Sequence, residues 1–588
     1  PERFNWDSPI LVSPHKPSRL YFASQRVWKS EDRGDSWTPI SGDLTLNEDR
    51  MKLPIMGGFY SPENAWDMKA MSTYNTITSL AESPAQEGLI YAGTDDGLIQ
   101  VTENGGQNWQ KLVLSTIKGL PSTPFVNDVR ADLFDANTVY AALDNHKNGD
   151  YKPYLIKSTD KGKTWKLITN GLPQKLLTWR LVQDHINPNI LFAATEFGVY
   201  VSYDKGGEWQ ILKGNLPTIA VRDITIHRKT DDLVLGTFGR GIYILDDLSP
   251  LRAINPKKMH EQPMLMEVKP AWWYVPTQEL YGQGNAEYAA ENPPFGAIFT
   301  YYLPKSFQSL KEIRKDNEKN ASKIEFPEWN ILDAEKNQSP PSIILTVKND
   351  NGQVVKTVKG TNQKGFNRVN WSLDVAERFG ESLQLRNGQE SQILTTPGQY
   401  SVVLSIWADG KMTYQSEEKS FSVVPTADGA LPRKDLQETL AFKEEFEKFM
   451  QSLSSTQDVL SKTQQLTNAM ERALDKAPNF SAELKTALHD LKQKLNVINI
   501  ELNGSPSKAE IGEKDLLNPN SGAFIGMVAL SSSTYGPTAN HQAALKTATK
   551  LLTKVQSTLK SIVEDEVPDF EKQLKDLGAP WIEGQGIR

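Results

Sequence analysis

Four acidic residues occupy equivalent turns and have the side chains that cleavage of a glycosidic bond requires. Asp95 and Asp96 follow one short β-rich run, Asp144 follows the next, and Glu196 follows a third. A glycosidase needs two carboxyl groups on one face, about 5 Å or about 6.5 to 9.5 Å apart. Arg240 would be the nearby cation. Acidic residues also suit turns for structural reasons alone, and this is the simpler interpretation.

Other catalytic chemistries find no support in the sequence. Because cysteine is absent, the chain has no thiolate nucleophile, no disulfide framework and no Cys-ligated zinc site. The seven histidines are scattered, with no pair four residues apart, which argues against a zinc hydrolase. There is no Gly-x-Ser-x-Gly nucleophile elbow and no phosphate-binding loop. We therefore expect neither a metal nor another cofactor.

The densest aromatic cluster is Trp272-Trp273-Tyr274. Exposed indole rings can stack against sugar faces, so Trp272 and Trp273 are candidate ligand-stacking residues. The cluster lies in a β-like segment, and packing in a core or between domains is the favoured alternative.

The first 250 residues contain an internal repeat that must position the acidic turns. Four copies of a box with the pattern Ser/Thr-x-Asp/Asn-x-Gly-x-x-Trp recur in a unit of about 44 residues with insertions. In the box, the Asp or Asn can accept backbone N–H groups, the Gly supplies a positive φ, and the Trp packs between sheets. The box residues with this structural role are Asp32 and Trp37, Asn104 and Trp109, Asp160 and Trp165, and Asp204 and Trp209.

Each box lies between short β-rich runs, and the whole unit has the layout of one β-propeller blade. Two strands precede the box, one begins at its Trp, and a fourth fits in the spacer. A fifth copy, at residues 233–245, lacks the box.

The boxes resemble the Asp-box (BNR) repeats of sialidases, sortilin and the twin-propeller xyloglucanases. The chain more closely resembles the C-terminal portion of large bacterial proteins with a sortilin-like or glycosyl-hydrolase-like propeller. The segments that carry this resemblance are 195–199, 236–247, 292–303, 365–371 and 397–400.

This resemblance implies a longer protein, but it does not imply a complete active site within this chain. The similar proteins have further blades upstream. The arginine cluster and Tyr/Glu pair of sialidases are not displayed, and the facing aspartates of xyloglucanases come from two propellers. The Cys-rich module of sortilin-like receptors is excluded because the chain has no cysteine.

Five blades of this kind are not expected to close a ring, and an open propeller exposes two sheet faces. We therefore expect missing blades, supplied by an upstream segment or by a second chain. The surfaces near Tyr21 and Ile242 should be strongly apolar.

Beyond residue 250 the pattern changes twice. Alternating β-runs with Asn-Gly and Asp-Gly turns predict an immunoglobulin- or fibronectin-like sandwich at 251–425, with an additional lobe at about 305–335. From Pro432, apolar residues recur every three or four positions, which predicts a helical bundle within 426–588. The expected fold is mainly β with an α-helical C-terminal part, and residues 1–250 form an incomplete propeller.

The composition limits the kinds of partner that the chain is expected to bind. The net charge of −7 lacks the basic surface that nucleic acid requires, and no apolar run is long enough to span a membrane. The sequence starts at Pro1 without an initiator Met, so we expect a processed or internal segment of an exported protein, in the periplasm, on the outer surface or in the medium.

Two functional hypotheses follow. The first is an exported bacterial propeller protein that binds a protein or glycan at the cell envelope as an assembly module, without catalysis. The alternative is a glycoside hydrolase of sialidase- or xyloglucanase-like propeller type, with part of its active site upstream.

Overall fold

The computed structural model describes residues 1–54, 58–70, 73–254, 261–276, 291–323, 325–376, 378–379, 393–426, 433 and 435–585. The chain forms two compact units, Pro1–Lys258 and Met259–Arg588. The first unit is a partial β-propeller of five blades, and the second contains a β-sandwich and a helical bundle. Strands dominate as far as Pro425 and helices follow, and among the described residues strands and helices have about equal shares.

Each blade is an antiparallel sheet of strands that follow one another in the chain. The first four blades have four strands, and blade 5 has three among the described residues. The strands are, in blade 1, β1 (Ile10–Val12), β2 (Leu20–Ala23), β3 (Val27–Ser30) and β4 (Thr38–Pro39); in blade 2, β5 (Ile77–Glu82), β6 (Ile90–Thr94), β7 (Leu98–Thr102) and β8 (Gln110–Val113); in blade 3, β9 (Phe125–Ala131), β10 (Val139–Asn145), β11 (Asp150–Ser158) and β12 (Lys166–Leu167); in blade 4, β13 (Thr178–Gln183), β14 (Leu191–Thr195), β15 (Gly198–Ser202) and β16 (Gln210–Ile211); and in blade 5, β17 (Val221–His227), β18 (Asp232–Thr237) and β19 (Ile242–Leu245).

Two short α-helices flank these blades. They are α1 (Ala65–Ala70), between blades 1 and 2, and α2 (Ser249–Arg252), after blade 5.

Successive blades pack face to face, and the first strands β1, β5, β9, β13 and β17 contact one another in that order. Alternate residues of one strand therefore face different neighbours. In β10, Val139 and Ala141 pack in a cluster with blade 2, whereas Tyr140 and Ala142 pack in a cluster with blade 4. A blade in the middle of the series is thus apolar on both faces.

The box forms the turn between the third and fourth strands of blades 1 to 4. In the first box, the Ser30 hydroxyl donates to Asp32 Oδ1 (2.7 Å) and accepts from the Gly34 N–H (2.8 Å). Asp32 Oδ1 also accepts the N–H of Ser36 (2.9 Å). Arg33 and Gly34 both have positive φ, 63° and 99°. The same bonds and the same pair of positive φ angles recur in the other three boxes.

The β-part of the second unit consists of two sheets around one core. The smaller sheet has the order β20-β22-β25, and the larger has β21-β28-β26-β23-β24 with β27 paired to β26. The core between them contains Phe299, Leu345, Trp371, Leu404 and Phe421. The strands are β20 (Met264–Leu265), β21 (Ala271–Trp273), β22 (Ala297–Leu303), β23 (Ser342–Asn349), β24 (Val354–Gly360), β25 (Gly365–Trp371), β26 (Gly398–Ala408), β27 (Lys411–Gln415) and β28 (Lys419–Pro425).

Two helices, α3 (Leu310–Asn320) and α4 (Trp329–Asn337), lie between β22 and β23, where the sequence predicts an additional lobe. Arg314 of α3 forms an ion pair with Glu335 of α4 (2.6 Å), which joins the two helices.

The helical bundle begins at α5, and Pro432 lies outside the described residues. Its two predicted apolar stripes are buried in the long helices α6 and α9. The bundle helices are α5 (Leu436–Leu474), α6 (Ala482–Asn503), α7 (Pro506–Glu510), α8 (Pro519–Ser531), α9 (Ala539–Ser561) and α10 (Val567–Asp576), with a π-helical turn at Ile562–Glu566. Among the described residues, no helix is both long and apolar enough to span a membrane.

Helix α8 lies between the two long helices α6 and α9 in the chain. Besides Leu530, its contacts use glycines: a Cβ at Gly522 would lie 2.2 Å from Ala548 Cβ, and one at Gly526 would lie 2.4 Å from the Phe446 ring. Because these close contacts depend on the absence of a side chain, they leave no apolar periodicity in the sequence.

Candidate functional site

The acidic candidates lie where the second strand of a blade leads into the third: Asp95, Asp96 and Glu196 in the turn, and Asp144 near the end of β10. Asp95 and Asp96 are in blade 2, Asp144 in blade 3 and Glu196 in blade 4, so all four lie on one rim of the propeller. Arg240 is exposed in the corresponding turn of blade 5. The repeat therefore brings these turns to one end of the blades.

Asp95 is buried, and both of its carboxylate oxygens bind residue Thr76. Oδ1 accepts the Thr76 N–H (2.8 Å), and Oδ2 accepts the Thr76 hydroxyl (2.7 Å). Burial raises the pKa of Asp95 to about 6, although the two bonds from Thr76 act in the opposite direction. The carboxylate therefore closes its own turn onto the start of β5.

Asp96 has a similar structural environment but a different partner. It accepts the Leu46 N–H (2.8 Å), from the segment after blade 1, and the hydroxyl of Thr94 (2.5 Å). Its side chain is buried, and burial raises its pKa. Asp96 therefore joins blade 2 to the chain that follows blade 1.

A cluster around Trp179 joins the rims of blades 3, 4 and 5, and of its members only Asp144 and Glu196 are candidates from the sequence. Glu196 accepts the Trp179 indole N–H (3.1 Å). The Arg222 guanidinium lies 3.6 Å from the centre of the Trp179 ring, and His146 meets that ring edge-on at 5.7 Å. Asp144 is buried and binds His146 Nδ1. For Trp179 itself, the signal in the sequence is a Trp outside the boxes, at the start of a first strand.

The two candidate stacking residues differ in environment. Trp273 is buried in the sandwich core, and its indole N–H donates to the Thr395 carbonyl (2.8 Å). Trp272 points to the other side of the strand and is 52% exposed. Tyr274 packs edge-on against Phe295 at 4.8 Å. Of the Trp pair, only Trp272 presents its ring to solvent.

The first blade exposes an apolar residue whose equivalents in blades 2, 3 and 4 are buried. Ile10 in β1 pairs with Phe22, as Leu80, Val129 and Leu181 pair with the equivalent residues of blades 2, 3 and 4. Those three residues are buried against the preceding blade, whereas Ile10 is 68% exposed. Val12 is also exposed. Phe4 stacks on Phe22 at 5.4 Å and covers only that part of the face.

The last blade exposes its opposite face. Ile242 and Ile244 of β19 are 72% and 57% exposed. Val199 and Val201, which occupy the same strand in blade 4, are buried in the cluster that blades 4 and 5 share. We call the exposed side of blade 1, with Ile10 and Val12, the leading face, and the exposed side of blade 5, with Ile242 and Ile244, the trailing face.

The tryptophans of the second, third and fourth boxes contact the preceding blade. The Trp109 indole N–H donates to the Ile40 carbonyl of blade 1 (3.1 Å), and the Trp209 indole N–H donates to the Ile168 carbonyl of blade 3 (2.6 Å). Trp165 packs into the cluster shared with blade 2 and donates to its own box. Among the described residues, the Trp37 N–H has no acceptor, and its side chain lies on the leading face.

Among the described residues, no group of three or more His, Asp or Glu side chains is placed to hold a metal ion.

No family model matches the chain, and no curated protein matches it. Among solved structures, it is similar to the GH74 enzyme of Niastella koreensis, at 13% identity over 42% of this chain and 36% of that chain, with a TM-score of 0.31. The GH74 xyloglucanase of Xanthomonas campestris has 13% identity over 42% and 37% of the two chains, with a TM-score of 0.29. A β-propeller domain from Myceliophteria thermophila has 11% identity over 46% and 78%, with a TM-score of 0.31.

The chain thus spans little more than a third of the two GH74 enzymes. At these identities and TM-scores the similarity concerns the propeller fold alone.

Proposed function

We propose that the chain is part of an exported bacterial propeller protein of the Asp-box group that acts by binding and assembly. The observation that carries this proposal is the pair of leading and trailing faces, whose apolar positions are buried wherever two blades meet. Contiguous exposed apolar surface on a soluble protein marks an interaction site. Further blades, from an upstream segment or from a second chain, would cover these faces.

The rim supports binding rather than hydrolysis. A glycosidase presents two carboxyl groups to its substrate. Asp95 and Asp96 are instead buried and bonded within the propeller, and Glu196 has one oxygen engaged by Trp179. A protein or glycan ligand would meet the partly exposed side chains around Trp179, or the exposed ring of Trp272.

The second candidate function is glycoside hydrolysis, with the rest of the active site upstream. One observation favours it: the pKa of Asp95, raised by burial to about 6, is in the range suited to a general acid near neutral pH. Two solved structures with a similar fold are GH74 enzymes, one of them a xyloglucanase.

Turnover of glycans by the full-length native protein separates the two functions. We expect no release of reducing sugar from xyloglucan or from sialylated oligosaccharides, and we expect a bound partner or further blades in the purified protein. Turnover that is lost in both Asp95→Asn and Glu196→Gln, but kept in the exposed control Asp35→Asn, would show that the protein is a hydrolase.

A further inference from the structure

The contact between successive blades has a direction. In blades 2 and 4 the box packs on the segment three residues after the box Trp of the blade before it, whereas in blade 3 a Cβ at Gly162 would lie 3.6 Å from Tyr91 of blade 2. A Cβ at Gly106 of blade 2 would lie 2.6 Å from the Ile40 carbonyl oxygen, and one at Gly206 of blade 4 would lie 2.6 Å from Ile168 Cδ1. Ile40 and Ile168 each follow a box Trp by three residues. These are also the residues whose carbonyls accept Trp109 and Trp209.

Blade 1 has the box side of this contact, but none of the five blades packs against that side. A Cβ at Gly34 would meet only atoms of its own blade, from Trp37 and Leu20. Trp37 is 37% exposed, whereas Trp209, its equivalent in blade 4, is 2% exposed. The leading face therefore has the apolar positions, the close-packing glycine and the indole donor of an interblade contact.

Blade 5 of a second copy does not fit this surface. For the boxes of blades 2 and 4 the matching half of the contact is the segment after another box, because the acceptor carbonyl comes three residues after the box Trp; for the box of blade 3 it includes the aromatic ring of Tyr91. Blade 5 has no box, and its described sheet ends with β19. It also has Val234 where blades 1 to 4 have Tyr21, Tyr91, Tyr140 and Phe192, the aromatic residues that face the next blade.

In blades 1 to 4, the side that corresponds to the trailing face of blade 5 is covered by the next blade of the same chain. A second copy could therefore offer only blade 5 to the leading face. We infer that the leading face receives an additional four-stranded blade that carries the same box and is not one of the five in this chain. The inference rests on the proposed assembly function and names the partner of one of its two surfaces. The residue three positions after the box Trp of that blade would accept the Trp37 N–H.

Site-specific photo-cross-linking of the full-length native protein tests this inference; the chain has no cysteine of its own, and the unsubstituted protein treated with the same probe identifies products from any cysteine elsewhere. Ile10→Cys and Val12→Cys each place one thiol on the leading face, where a maleimide-benzophenone probe is attached. Ile186→Cys is the matched control: Ile186 is also exposed, but it lies in the turn between β13 and β14. Cross-linked peptides are identified by mass spectrometry.

We expect both leading-face thiols to cross-link a segment outside this chain's blades that contains or flanks the pattern Ser/Thr-x-Asp/Asn-x-Gly-x-x-Trp, and the control to lose that product. A cross-link to residues 221–245 of a second copy, to a segment without a nearby box, or to no protein segment would overturn the inference. If the assembly function itself fails, the native protein will contain no partner and no further blade. If only this inference fails, the partner will be present but joined elsewhere.

Discussion

Asp95 and Asp96 are adjacent in the chain but hold different segments. Asp95 binds Thr76, which leads into its own blade, and Asp96 binds Leu46, which follows the preceding blade. Neither partner is close in sequence to its carboxylate, so the sequence showed the acidic turn but not what the turn holds. The carboxylates of Asp95 and Asp96 therefore hold separate segments of the chain together.

Replacement of Asp95 by asparagine should change how stability depends on pH. The pKa of this carboxyl is about 6 in the folded chain and about 3.8 in the unfolded chain, because burial disfavours the charge. At Asp95 the folded state therefore binds more protons than the unfolded state between these values, so the contribution of this carboxyl group to stability should fall as pH rises from about 4 to about 6. Asp96 and Lys147 are the charged groups that act on Asp95.

In Asp95→Asn this loss should disappear. Between pH 4 and 6 the change in the free energy of unfolding should therefore differ by about 2 kcal/mol between the wild type and the variant. Urea unfolding at pH 4.5, 5.5 and 7 measures it, with Asp35→Asn as the control that should keep the wild-type slope. Identical slopes for the wild type and Asp95→Asn would contradict the prediction.

At the scale of elements, the box was predictable and the fine contacts between blades were not. The box could be found from sequence because its turn needs two consecutive residues with positive φ and a short side chain that accepts N–H groups. Local periodicity in the same way predicted the blades and the apolar stripes of the two long helices α6 and α9. The contacts of Trp179 and of the glycines in α8 could not be predicted, because they depend on which elements meet in space rather than on local periodicity.

The tryptophans of the first and fourth boxes should contribute unequally to stability. Trp209→Ala removes a buried ring and leaves the Ile168 carbonyl without its donor, so we expect a loss of about 3–5 kcal/mol. Trp37→Ala removes a half-exposed ring with no preceding blade, and its loss should be about 1 kcal/mol. Chemical unfolding of the two variants of this chain measures the difference. Equal losses would show that the boxes do not act through the blade before them.

At the scale of the whole molecule, the two exposed faces should make the isolated chain associate with itself through apolar contacts that do not reproduce the packing between blades. Lysine pairs placed at Ile10 and Val12, or at Ile242 and Ile244, should reduce this association, because burial of an ammonium group against an apolar surface is unfavourable. Ile186→Lys, at an exposed position away from both faces, should have no effect. Light scattering at increasing protein concentration measures the change. A wild-type chain that stays monodisperse and monomeric would contradict the prediction.

The packing of each blade on its neighbours in chain order makes the first unit a one-dimensional array. In such an array, the free energy of opening one blade is its intrinsic term plus one coupling for each neighbour. Blades 2, 3 and 4 have two couplings, whereas blades 1 and 5 have one. Opening therefore begins at the two ends and propagates inward, with amide hydrogen exchange slowest in blade 3. A neighbour added at either end slows exchange in the blade beneath it without any change to that blade's own sequence.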